Sequence, residues 1–120
     1  MFATIPSVIP QIKAGKLRAL AVSSSAPSRS LPGVPTVAEK GLPGFEAGSW
    51  FGFFAPKGTP ASVIATLNKT VNDVLPQLEA QMIREGADPI GGSAAQYAKF
   101  TQSEYVKWKA VVESSGAAAE

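Results

Sequence analysis

The sequence predicts an α/β fold of short parallel strands with packing helices. Three observations point there. Glycines and prolines fall where elements would start and stop, short apolar runs lie between them, and two long stretches repeat their apolar residues every three or four positions. The chain also opens with a helix, a tight glycine and an apolar run, which is the repeating unit of such a fold.

The elements follow in order. Pro6 suits the first turn of a short helix over Ser7 to Ala14, closed by Gly15, with Pro10 early enough to bend it or restart its first turn. Leu17-Arg18-Ala19-Leu20-Ala21-Val22 reads as a strand covered on both faces. Ser23 to Pro35 holds five serines and three prolines, a composition for an irregular crossover. Thr36 and Glu39 have the spacing of a capping box, and Gly41 would end that one-turn helix. The aromatic stretch Gly48 to Ala55 reads as a buried strand in which Gly52 marks a bulge or a close backbone approach.

Thr59 is expected to cap a helix beginning at Pro60. Val63, Ile64, Leu67, Val71, Val74 and Leu75 form its apolar face, opposite Asn68, Lys69, Asn72 and Asp73 on the wet one. Pro76 would restart a second helix carrying Leu78, Met82 and Ile83, which Gly86 stops, and Pro89 confines Ala87–Ile90 to a sheet edge. Gly91-Gly92 is a turn. Ser93 caps the last helix, along which Tyr97, Phe100, Glu104, Trp108 and Val111 recur, before Gly116 and a tail of small residues.

Composition excludes much chemistry. The 120 residues include 11 Lys+Arg, 9 Asp+Glu, no histidine and no cysteine, so a Ser-His-Asp or Cys-His nucleophile, a thiol redox pair and a Cys/His zinc site are out of reach. The basic residues are scattered rather than striped, which argues against a nucleic-acid partner. No run is long and apolar enough to span a membrane. Met1–Ile12 does not read as a signal peptide, because Lys13 and Lys16 follow its apolar part and Pro6 and Pro10 interrupt it.

The carboxylates lie in separate elements and offer neither a catalytic pair nor a metal cage, so no catalytic residue, metal or cofactor is assigned. Glu104 falls on the apolar stripe of the last helix, where pairing with a lysine or with backbone N–H groups explains it. Gly91-Gly92-Ser93 could cradle an anion, although a turn plus an N-cap accounts for the same residues. Thr4-Ile5-Pro6-Ser7 stands at a helix N-terminus, where a hydroxyl would sit beside free backbone donors.

Several motifs then carry a resemblance. They are Leu17–Val22, the block from Arg29 through Pro32-Gly33-Val34-Pro35-Thr36-Val37-Ala38-Glu39 to Glu46, Ser49-Trp50-Phe51-Gly52, Ala55-Pro56 with Gly58-Thr59-Pro60, and Gly86-Ala87 with Pro89 and Gly91. In this order, through nearly the whole chain, they resemble the Bug/TctC family, the periplasmic substrate-binding proteins of tripartite tricarboxylate transporters.

The resemblance implies a type II periplasmic-binding-protein-like fold, two α/β domains around a cleft that holds a small carboxylate. At ordinary domain size two such domains need about 200–400 residues, so this chain is expected to be an incomplete, C-terminal part. Residues 1–23 would then belong to a partial second, ligand-lobe domain, 24–48 to a crossover with a one-turn helix, and 49–120 to the C-terminal part of the first domain. The family's ligand loop falls on Ala3, Thr4 and Ser7. Many members carry an aspartate where this chain has Ala3, so a ligand amino group or an ordered water loses that partner here.

The implied function is a periplasmic solute-binding receptor component for small carboxylates, delivering to the transporter's membrane subunits without catalysis. With one lip of the cleft absent, the chain by itself is expected to bind carboxylates weakly or not at all. The alternative is a truncated product acting as an interaction module, a homodimer through exposed edges or a partner of a separately encoded N-terminal portion.

Overall fold

Three helices, α1 (Ile5–Lys13), α2 (Ala61–Glu85) and α3 (Ala94–Ser115), carry the regular structure of this chain in a computed structural model that describes residues 1–117. Most of the small-residue tail beyond Gly116 lies outside the described residues. The chain divides into two compact units, one of Met1–Phe54 with Val74–Ile90, the other of Ala55–Asp73 with Gly91–Glu120.

In the first unit α1 begins as its residues require. Thr4 takes the N-cap position in extended conformation, Pro6 lies in the first turn, and Gly15 at φ +70° lets the chain turn away after Lys13. The Ala14 and Gly15 N–H groups donate to the carbonyls of Pro10 and Ile12, both at 3.0 Å, which satisfies carbonyls of the last turn. Pro10 stays inside one helix and does not restart it. Ile9 faces inward and joins Val22 and Leu31 in a small buried cluster, with Ile5, Ile12, Ala19 and Val34 packed against it.

The strands are where expectation and structure part. No strand forms among the described residues: helices and one β-bridge make up the regular structure, so of the α/β reading the helices form and the expected strands do not. At Leu17–Val22 only Val22 pairs, in parallel, with Thr36: its N–H donates to the Pro35 carbonyl at 2.8 Å and its carbonyl accepts from Val37 N–H at 2.9 Å. The physical reason is neighbours. An apolar run is held as an inner strand when other strands pair both its edges, and here Leu20 is still 72% exposed. Gly48–Ala55 and Ala87–Ile90 likewise form no ladder, and Phe51 is 92% exposed.

Hydrogen bonds from the crossover tie it to the end of α2. Ser30 Oγ donates to the Ile83 carbonyl at 2.8 Å and Ser28 Oγ to Asp88 Oδ2 at 2.9 Å, and both serines are buried. The Arg29 guanidinium between them donates to Glu79 Oε1 at 2.5 Å and to Asp88 Oδ1 at 3.0 Å. The Glu79 hydrogen bond first, and the Asp88 one second, raise the guanidinium pKa above its ordinary value. Further on, the reciprocal bonds of the expected capping box form, Thr36 N–H to Glu39 Oε2 at 2.8 Å and Glu39 N–H to Thr36 Oγ1 at 3.1 Å. They close a run of turns rather than a one-turn helix, with Lys40 N–H and Leu42 N–H both donating to the Val37 carbonyl.

In the second unit α3 starts with a full capping box: Gln96 N–H donates to Ser93 Oγ at 3.2 Å and Ser93 N–H to Gln96 Oε1 at 2.8 Å. Gly116, at φ +69°, ends it. Two asparagines expected on the wet face of α2 hold the preceding turn, since Asn72 Oδ1 accepts from Gly92 N–H at 2.8 Å and both Asn68 and Asn72 amides donate to the Gly92 carbonyl. Thr59 donates its hydroxyl to the Pro56 carbonyl at 2.9 Å ahead of α2. The break expected at Pro76 is corrected too: α2 runs unbroken through it, because its φ suits the helix and only one ladder bond is lost.

Candidate functional site

The loop that enters α1 brings two of the three candidate ligand residues together. Ser7 Oγ donates to the Thr4 carbonyl at 2.7 Å and accepts from Thr4 Oγ1 at 3.2 Å, while Ser7 N–H donates to the same carbonyl at 3.1 Å. Thr4 makes no side-chain cap bond, so its hydroxyl rotor is held only by Ser7. Ala3, Thr4 and Ser7 are all exposed. The positive end of the α1 dipole and two hydroxyls therefore face solvent at one place, an arrangement suited to a carboxylate oxygen. Ala3 adds backbone alone.

What fixes this loop lies at the far end of α2. Gly86 is buried and has φ +93°, and a Cβ there would come within 2.9 Å of both Ile5 Cγ2 and the Pro6 nitrogen. Lys13, at the other end of α1, donates Nζ to the Arg84 carbonyl at 2.9 Å, placing a cation on the C-terminus of α2. Between these two ties runs an open cleft of ≈ 450 Å³ lined by Pro6, Ile9, Pro10, Lys13, Arg84 and Glu85. Sequence reasoning saw Gly86 as a helix stop and Arg29, Glu79 and Asp88 as separate charges. The signal available was Gly86 followed by Ala87-Asp88-Pro89, a turn richer than a stop requires.

The other candidates are absorbed by structure. The Gly92 and Ser93 N–H groups, which an anion would need, are already given to Asn72 and Gln96, so the Gly91-Gly92-Ser93 segment is a turn and cap. Glu104 is the one buried residue of α3 and pairs with Lys107 while accepting from Trp108 Nε1 at 3.1 Å. Among the described residues no three acidic side chains gather where a metal could bind, and no helix is long and apolar enough to cross a membrane.

Residues 1–117 match the family description "Tripartite tricarboxylate transporter family receptor". The chain belongs to the tripartite tricarboxylate transporter receptor family. It is 40% identical over 116 residues to protein BugT of Bordetella pertussis, an alignment covering 94% of this chain and 35% of that protein. A Pseudomonas protein encoded in the tcbD-tcbE intergenic region is 38% identical over 115 residues, covering 93% and 34%. The solved structure of R. palustris Rpa4515 with adipate superposes with a TM-score of 0.80 at 35% identity, over 93% of this chain and 38% of that one.

The chain spans about a third of the length of these two relatives. Members of the family are periplasmic solute-binding receptors, a class that performs no catalysis. The relatives favour the receptor reading over a self-pairing module.

Proposed function

We propose that the chain supplies part of the carboxylate-binding cleft of a periplasmic solute receptor that serves a tripartite transporter. The observation that carries this reading is the Thr4–Ser7 hydroxyl pair at the N-terminus of α1 in a chain that resembles a receptor solved with adipate. Ala3, Thr4 and Ser7 are the ligand positions, and the ligand is a small di- or tricarboxylate. Residues 1–23 belong to the ligand lobe, 24–48 cross back, and 49–120 build the C-terminal part of the other lobe. The runs Leu17–Val22 and Gly48–Ala55, which form no strand among the described residues, then find their sheet neighbours in the remaining receptor length.

A chimera tests this. Residues 1–117 replace the matched segment of BugT, and calorimetry follows titration with adipate, citrate, malate and glutamate. The folded chimera is expected to bind at least one of them, with Ser7→Ala weakening it about tenfold for the loss of one hydrogen bond to a charged group. The 120-residue chain alone is expected to bind weakly or not at all. A folded chimera that takes none of the four would refute the proposal.

A further inference from the structure

We infer that Gly86 is a positioning residue for the Ala3–Ser7 loop, a role that rests on the carboxylate reading of that loop. The turn after α2 lies so close to the Ile5–Pro6 peptide that a single added carbon would sit 2.9 Å from Ile5 Cγ2, 2.9 Å from the Pro6 nitrogen and 3.0 Å from the Ile5 carbonyl carbon. Two of those three atoms are backbone and cannot rotate aside. The Ile5–Pro6 peptide directly follows Thr4 and directly precedes Ser7, so whatever displaces it displaces both hydroxyls. Proline fixes φ at residue 6, so the displacement passes along the chain instead of being absorbed there.

The contact does more than end a helix. Most positive-φ glycines of the chain have nothing within 4 Å of an added Cβ, Gly33 at φ +83° among them. Gly86 combines nearly the same backbone requirement with a full steric contact, and it is buried while Gly33 is exposed. Lys13 on the Arg84 carbonyl fixes the opposite end of α1, so two ties from one segment, Arg84 to Gly86, hold the register of α1.

Comparing Gly86→Ala with Gly33→Ala isolates the contact, because both variants carry the φ penalty and only the first carries the clash. Amide chemical shifts and hydrogen exchange are measured on the ligand-free 120-residue chain. Gly86→Ala is expected to move the Thr4, Ile5 and Ser7 signals and to speed Ser7 amide exchange about tenfold, while Gly33→Ala leaves them in place. Unmoved Thr4–Ser7 signals in a folded Gly86→Ala chain overturn the inference. Should that variant fail to fold, Ile5→Ala removes the contacted Cγ2 from the other side. It is expected to speed exchange at Ser7 and not at Ala14, and equal exchange at both overturns the inference.

In the BugT chimera, Gly86→Ala is expected to lose about tenfold more adipate affinity than Gly33→Ala, and equal losses count against the positioning role. The ligand-free measurements separate the two ideas. A wild-type chimera that binds no carboxylate sinks the loop's function while the loop geometry is judged on its own signals.

Discussion

Glu104 shows how much a single misplaced residue can reveal. Its position on an apolar stripe foretold a partner, and Lys107 one turn on is that partner; the Trp108 N–H was not foreseen, because indole is apolar by composition and polar at one atom. Glu104→Ala leaves that N–H and the Lys107 ammonium without their acceptor and is expected to cost about 1–3 kcal/mol in urea denaturation. Glu104→Gln keeps an acceptor and should cost less, so an alanine variant as stable as wild type would show the pair to be idle. Arg29 behaves differently with pH. Its folded pKa is raised by Glu79 and Asp88, so the stability from its charge is complete below the unfolded value and is lost only as pH climbs through the folded one. Through the neutral range the Arg29 ionisation adds no slope.

Caps and glycine stops were legible in the sequence because their physics is contained in four or five consecutive residues. Thr36 with Glu39, the Ser93 cap, Gly15 and Gly116 are all found in their expected places. Pro76 misled because a proline forbids one bond, not a helix, and a helix of 25 residues has other bonds to keep it whole. Pro76→Ala restores the missing donor to the Asn72 carbonyl and is expected to stabilise the chain by about 1–3 kcal/mol, read as a raised denaturation midpoint. A lowered midpoint would mean that the surroundings are fitted to the proline ring. Helical spacing puts Asn68 and Asn72 on a polar face and says nothing about which loop returns to it.

At the scale of the molecule the strands were the illegible part. Leu17–Val22 and Gly48–Ala55 have strand composition, yet a strand is defined by its neighbours, and among the described residues only Val22 finds one. The chain exposes 9202 Å², where about 6,100 Å² is usual for a folded protein of this mass. Amides of 18–21 and 51–53 are therefore expected to exchange rapidly in the chain alone and at least about 100-fold more slowly in the chimera, where a ladder can form. Equal exchange in both would show that the extra length does not pair with them. The long ties of the first unit carry one more consequence, for the time course of folding. Lys13 meets Arg84 across 71 residues and Ser28 meets Asp88 across 60. Closing such loops costs about 1–2 kcal/mol more than closing the local Val22–Thr36 bridge. Residues up to Phe54 leave the ribosome well ahead of Val74, so they wait without the ties of Lys13, Ser28 and Ser30 until α2 and the turn after it are finished. The order of synthesis, more than the strength of any one contact, then decides when this unit forms.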